Sequence, residues 1–404
     1  MPRRTKLLQG ELDMGMLSRC SRTVVAGVVA AATLALAGGV QASGASGAPT
    51  APPARDYEIW ALDQGTHQVH ILNSKLEEVG RIDMTAHGVR VPHMIDFTPD
   101  HAYAFIASTS SGDVSVIRTA DRAVVAVLKT GPGTHMAGVK PDGSAAIADV
   151  IGDPTVPRDG KLVEITIDRQ NNSFSIGRTL VIAQDPLFQR SADRFKDAAA
   201  ICHHFTADGR HAYVTLGPGL PDGGLLVLDT QTFSLVAAYP PDELKVNCGT
   251  MLTRDGKHML VNGGGADTGV WYALDTATHK VVKQGETRGR DAHGVWATPD
   301  GREIWMVNRV SSNGIVIDPG TLEVVADLKD VGPTPDIIAM SPDSQFAFIS
   351  LRGPNPVSAP HLAKGTTPGI AVVSIPERRL VRIVQPAQGN DRSDFHGIGV
   401  RVIR

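Results

Sequence analysis

The chain has 404 residues, 42 % hydrophobic and 20 % charged, with 42 Gly, 26 Pro and 3 Cys. Its 39 Lys and Arg against 42 Asp and Glu leave a net charge of −3, which argues against a nucleic-acid binder working through a basic surface. The turn-rich composition excludes a helical bundle, and three Cys exclude a disulfide-dense scaffold, a four-Cys zinc site and a four-Cys iron–sulfur site.

In chain order, the first element is a secretory pattern. Arg19 and Arg22 precede an apolar run over 24–40, and Val40-Gln41-Ala42 offers a cleavage site. Residues 1–42 are therefore expected to be a signal peptide, with translation starting better at Met14 or Met16. The mature protein is expected to be secreted, periplasmic or held in the cell envelope. Gly27, Gly38 and Gly39 make the run a poor membrane span, so no stable insertion is expected. Residues 43–55 are rich in Ala, Gly, Ser and Pro and read as a flexible leader. Cys202 and Cys248 remain. The sequence leaves open whether they form a disulfide, donate to a metal or stay inert.

From residue 56 to 404 one phrase recurs: an apolar strand, a turn of the form x-P-D-G, and a second apolar strand. It reads HMIDFTPDHAYAFIAS from His93, HMAGVKPDGSAAIADV from His135 and CHHFTADGRHAYVTLG from Cys202. It returns as CGTMLTRDGKHMLVNG from Cys248, HGVWATPDGREIWMVN from His293 and DIIAMSPDSQFAFISL from Asp336. A repeat of about 45 residues built from short strands predicts propeller blades. Seven outer hairpins accompany these six phrases. The terminal FHGIGVRVI from Phe395 lacks a following partner, and YEIWALD from Tyr57 lacks a preceding one. Pairing them predicts an all-β, seven-bladed propeller closed by its C-terminal inner strand against the N-terminal strands. Two segments exceed the repeat, 151–200 with a short helix and 353–369; both are candidate binding loops.

These phrases resemble the YVTN repeats of YncE-like seven-bladed propellers across residues 57–404. That superfamily includes the propeller half of nitrous-oxide reductase, the d1-haem domain of cytochrome cd1 nitrite reductase, lactonases and plain binding proteins.

Seven positions before each turn Asp stand His93, His135, Ile201, Cys248, His293 and Asp336, and His396 opens the closing strand. Ile201 is followed by Cys202, His203 and His204. Starts of inner strands surround the central channel, so these residues are expected to converge. Imidazole and thiolate suit transition metals, copper first. The expected ligands are His93, His135, His203, His204, Cys248, His293 and His396, with Asp336 as an auxiliary or catalytic acid–base group. The resemblance to nitrous-oxide reductase implies the same use of inner-strand His residues, with His203-His204 similar to its adjacent pair. Cys248 and Asp336 depart from an all-His set, and no cupredoxin-type segment follows, so nitrous-oxide reduction is not implied.

Asp96, Arg290, Asp291 and Asp394 flank the ring. His87 and His361 are placed on loops able to reach it. His67, His70, His101, His211, His258 and His279 are expected at the surface. Asn262, Asn308 and Arg309 are expected at the opposite face. The favoured function is a metal-binding propeller, with oxidoreductase activity left open, taking a small-molecule substrate or a protein partner at the channel face. The alternatives are a non-catalytic binding propeller and a lactonase-like hydrolase.

Overall fold

The computed structural model describes residues 56–359, 362 and 364–403. The signal peptide, the leader and His361 lie outside the described residues. Seven four-stranded antiparallel sheets follow one another around a central channel. Six are consecutive in sequence. The seventh joins the C-terminal strand Phe395–Val402 to Tyr57–Asp63, whose register runs from Tyr57 opposite Val402 to Asp63 opposite Phe395. The expected closure is therefore present: the C-terminal strand supplies the inner strand of the sheet begun at the N-terminal end. Among the described residues no helix is long and apolar enough to cross a membrane.

Why the repeat makes a blade is visible in its turns. At Thr98 the hydroxyl donates to Asp100 Oδ1 and accepts from the Tyr103 amide. The same clasp recurs at Thr206/Asp208, Thr253/Asp255, Thr298/Asp300 and Ser341/Asp343. The residue after the Asp is left-handed: Gly209 (φ 68°) and Gly301 (φ 72°) take it at little cost, and His101 (φ 56°) takes the same shape without glycine. Second strands such as Tyr103–Ser108 and Ala145–Val150 are buried throughout, because neighbouring blades cover both faces. That is why they read as continuous apolar runs. Outer strands such as Glu78–Asp83 are mostly exposed.

The segment 151–200 carries the expected helix, a single turn Pro186–Gln189 capped by Asp185. Phe188 and Phe195 from this segment stack at 4.7 Å inside a blade core, so much of it packs as structure.

Candidate functional site

Five inner strands besides the closing one begin with a register shift, and the ring residue sits in it; Thr250–Leu252 has none. The shifts fall at Pro92/Met94, Thr134/Met136, Ala200/Cys202, Ala292/Val295 and Pro335/Ile338. A bulge re-aims one side chain, here toward the channel. His93, His135, His293 and Asp336 thereby meet His396 from the closing strand. Inner strands also approach one another closely here. A Cβ at Gly294 would fall on the Asp336 carbonyl oxygen, and one at Gly397 on that of His93. The recurrent His-Gly pair reflects that crowding.

The cluster is dense. His93 and His396 stack with ring centroids 3.7 Å apart, and His93 Nε2 lies 2.9 Å from His135 Nε2. Proton positions follow from partners. Gln64 Nε2 donates to Asp394 Oδ2 (2.8 Å) and Ser358 Oγ (3.1 Å), so Gln64 Oε1 must accept from His93 Nδ1–H at 2.8 Å. His93 Nε2 is then bare and accepts from His135 Nε2–H. His135 Nδ1 in turn faces the Cys202 thiol at 3.9 Å.

On the other side, His396 Nδ1 lies 3.0 Å from the His93 carbonyl oxygen and so carries the proton. Its bare Nε2 points at Asp336 Oδ2, 3.7 Å away. His293 Nδ1 lies 2.7 Å from Asp336 Oδ1, a buried imidazole–carboxylate contact. The donor atoms of His293, Asp336 and His396 all lie within 4.8 Å of one another.

Burial and charge set the protonation. Burial, with the neighbouring imidazoles, holds His93 and His396 well below the ordinary histidine range and His135 at about 3. Burial lowers His293 as well. Asp336 is pushed up by burial but pulled further down by the charges of His396, His293, Arg352 and Arg309. At neutral pH those imidazoles are uncharged, so the standing cations are the two arginines. Arg352 holds Asp336 (3.0 Å) and Asp394 (2.8 and 2.9 Å); Arg309 holds Asp291 (2.7 Å) and reaches Asp336 at 3.4 Å.

Not every expected residue joins. In the fourth blade the bulge presents Ile201 at the ring and puts Cys202 one layer below. His203 instead turns between blades, where its Nδ1 donates to Asp149 (2.7 Å) against Gly138. It is a blade-to-blade tie. His204 faces the channel below the ring, and burial lowers it to about 4. Cys248 precedes its strand, Thr250–Leu252, and burial pushes its thiol up. Cys202 and Cys248 are both free thiols.

Four further expectations change. His70 is fully buried against Glu78, and the five other histidines assigned to the surface are partly buried. Arg290 and His87 are exposed and away from the cluster's contacts. Asp96 accepts the Phe97 and Val139 amides instead of orienting a ring histidine. Arg309 is at the site rather than at the opposite face. A second strand runs antiparallel to the inner strand, so it ends where the inner strand begins. The same geometry brings Gln64 after Tyr57–Asp63 and Arg352 after Phe346–Leu351, two residues the sequence reading passed over. An Arg directly after two second strands, in WMVNR and AFISLR, was the available signal.

The ring separates two spaces. Above it the long loop lays Ser358 over the cluster, its carbonyl and hydroxyl accepting from Arg352, and leaves only about 70 Å³. Below it a cavity of about 420 Å³ runs from Cys202, Cys248 and His293 to the prolines of the turn face, Pro99, Pro299 and Pro342.

No family model matches the chain, and no curated protein matches it. Solved structures do match in fold. Hydrazine synthase of Kuenenia stuttgartiensis is 17 % identical with a TM-score of 0.51, over 70 % of this chain and 76 % of that one. The dihydro-heme d1 dehydrogenase NirN, solved in complex with DHE, is 16 % identical with a TM-score of 0.53, over 84 % and 74 %. A chain of the mitotic checkpoint complex is 11 % identical with a TM-score of 0.55, over 72 % and 80 %. At these identities the likeness is one of fold.

Proposed function

We propose that this propeller is an exported, YVTN-type metal-binding protein whose centre is held by His293, Asp336 and His396. The observation that carries the reading is the convergence of two buried imidazoles, His396 through its bare Nε2 and His293, on the single Asp336 carboxylate. The bare His396 Nε2 faces a carboxylate in a buried site and is repelled by it, and a cation between them removes that cost. The donor spread supports a fit. Three atoms within 4.8 Å of one another share a point no more than about 2.8 Å from each, and sub-ångström shifts reach bonding length. Charge supports it too: Asp336, Asp291 and Asp394 outnumber Arg309 and Arg352 by one.

Two imidazoles and one carboxylate suit a divalent transition ion, and the affinity order of such ions favours copper. Copper there supplies one-electron redox chemistry. The chain's own part is to fix the tautomers through Gln64 and the His93 carbonyl, to neutralise the surplus acid with two arginines, and to exclude bulk water with the Ser358 loop. With the ring covered on that side, a small molecule is a better candidate partner than a protein.

The test is elemental analysis of the exported protein, purified without an affinity tag. Copper near one equivalent, lost in His293→Ala and His396→Ala, is the expected result. Metal below about 0.1 equivalent after incubation with copper and zinc would overturn the reading.

A further inference from the structure

We infer that the 420 Å³ cavity below the ring is a binding chamber for a small, uncharged, largely apolar molecule bearing one hydrogen-bonding group, admitted from the turn face. A propeller needs a central channel, but not an apolar one; the channel-facing positions of its inner strands can be polar where water fills the space. Here they are Met94, Met136, Met340, Ile337, Val295 and Phe97. Thioether side chains adapt to irregular apolar ligands. The volume sits at the small end of the roughly 300–1,000 Å³ typical of ligand pockets. Among the described residues no Lys or Arg lines the chamber.

Its polar groups are few and mostly engaged. Both Asp96 oxygens accept backbone amides. His203 is tied to Asp149. His204 is not: its ring makes no hydrogen bond among the described residues, and His203 Nε2 is likewise without a partner. Burial keeps His204 neutral at pH 7, with one N–H to give and one lone pair to receive. The mouth carries Trp296, 37 % exposed beside the proline rim. An apolar surface at an opening, leading to a largely apolar interior with a few unused polar groups, is the pattern of a ligand site.

The chamber is separate from the proposed metal centre except at His293, so binding is expected with or without metal. The probe is N-phenyl-1-naphthylamine, an uncharged aromatic amine, titrated by fluorescence into chelator-treated protein. We expect saturable binding of one probe per chain, unchanged in His396→Ala. The anionic 8-anilino-1-naphthalenesulfonate should bind at least tenfold more weakly, because no cation lines the space.

Ala339→Phe, at a lining position that also packs in the core between blades, should weaken the probe at least tenfold. Trp296→Ala at the partly exposed mouth should weaken it several-fold even if Ala339→Phe fails to fold. His204→Leu should weaken it about threefold to tenfold through loss of a polar contact. Absence of saturable binding, equal affinity for the anionic dye, or affinity untouched by both Trp296→Ala and His204→Leu would overturn the inference. None of these results bears on metal content.

Discussion

Replacing Arg352 by Met is the sharpest test of the charge arrangement at the ring. Arg352 is fully buried and is the partner shared by Asp336 and Asp394, through three hydrogen bonds of 2.8–3.0 Å. Met keeps much of the volume but removes the cation, leaving two buried carboxylates with one fewer positive charge. Breaking a buried ion pair on one side costs about 3–5 kcal/mol. Unfolding entropy of about 2.1 cal/mol/K per residue, over some 350 residues, gives roughly 0.7 kcal/mol/K, so the melting temperature should fall by about 4–7 °C.

Differential scanning calorimetry at pH 7 measures it. Two controls identify the cause. Arg352→Met/Asp394→Asn should recover at least about 1 kcal/mol of the loss, because one uncompensated charge has gone. The deficit should also shrink toward pH 5, where the stranded carboxylates take up protons. A shift under 2 °C, or a double variant no more stable than the single one, would refute the account of Arg352 as the charge that makes Asp336 tolerable.

The buried imidazoles make a second prediction. In the unfolded chain histidines protonate near 6.5, while burial depresses His93, His135, His204, His293 and His396 in the native state, His135 to about 3 and His204 to about 4. Between those values the unfolded state binds more protons, so stability is greatest above pH 6.5 and is lost as pH falls, by about 1 kcal/mol per unit for each such histidine. Asp96, raised to about 6 by burial, works the other way but is outnumbered. Melting curves at pH 7, 6 and 5 should fall steeply, and a flat profile would contradict the burial of the ring. A third prediction concerns Cys202 and Cys248. Both are buried free thiols that burial pushes to high pKa, so a thiol-specific disulfide reagent should not label them in native protein within minutes and should label both after denaturation. Rapid native labelling, or their absence as thiols after denaturation, would show another arrangement.

The fold was legible because a propeller writes itself locally. Five blades share the Thr/Ser-x-Asp clasp followed by a left-handed residue, and the third keeps the Asp and the left-handed Gly143, so the motif recurs along the chain. Closure was legible because an inner strand without a successor and a second strand without a predecessor can satisfy their backbones only through each other. Convergence of His93, His135, His293, Asp336 and His396 followed from the repeat, since equivalent positions surround one axis.

Tertiary structure decided which side chain of each inner strand faces that axis. A one-residue bulge changes parity, and in ICHH it gave the ring to Ile201 and sent His203 against Asp149, although the sequence favours the His pair. It also decided protonation. Gln64 lies at the other end of the described chain from Ser358 and Asp394, as His93 does from His396, and only the closed ring lets them fix the tautomer of His93 and leave His396 Nε2 bare. Periodicity places residues on a common axis; the direction of each lone pair depends on partners that the ring assembles from both ends of the chain.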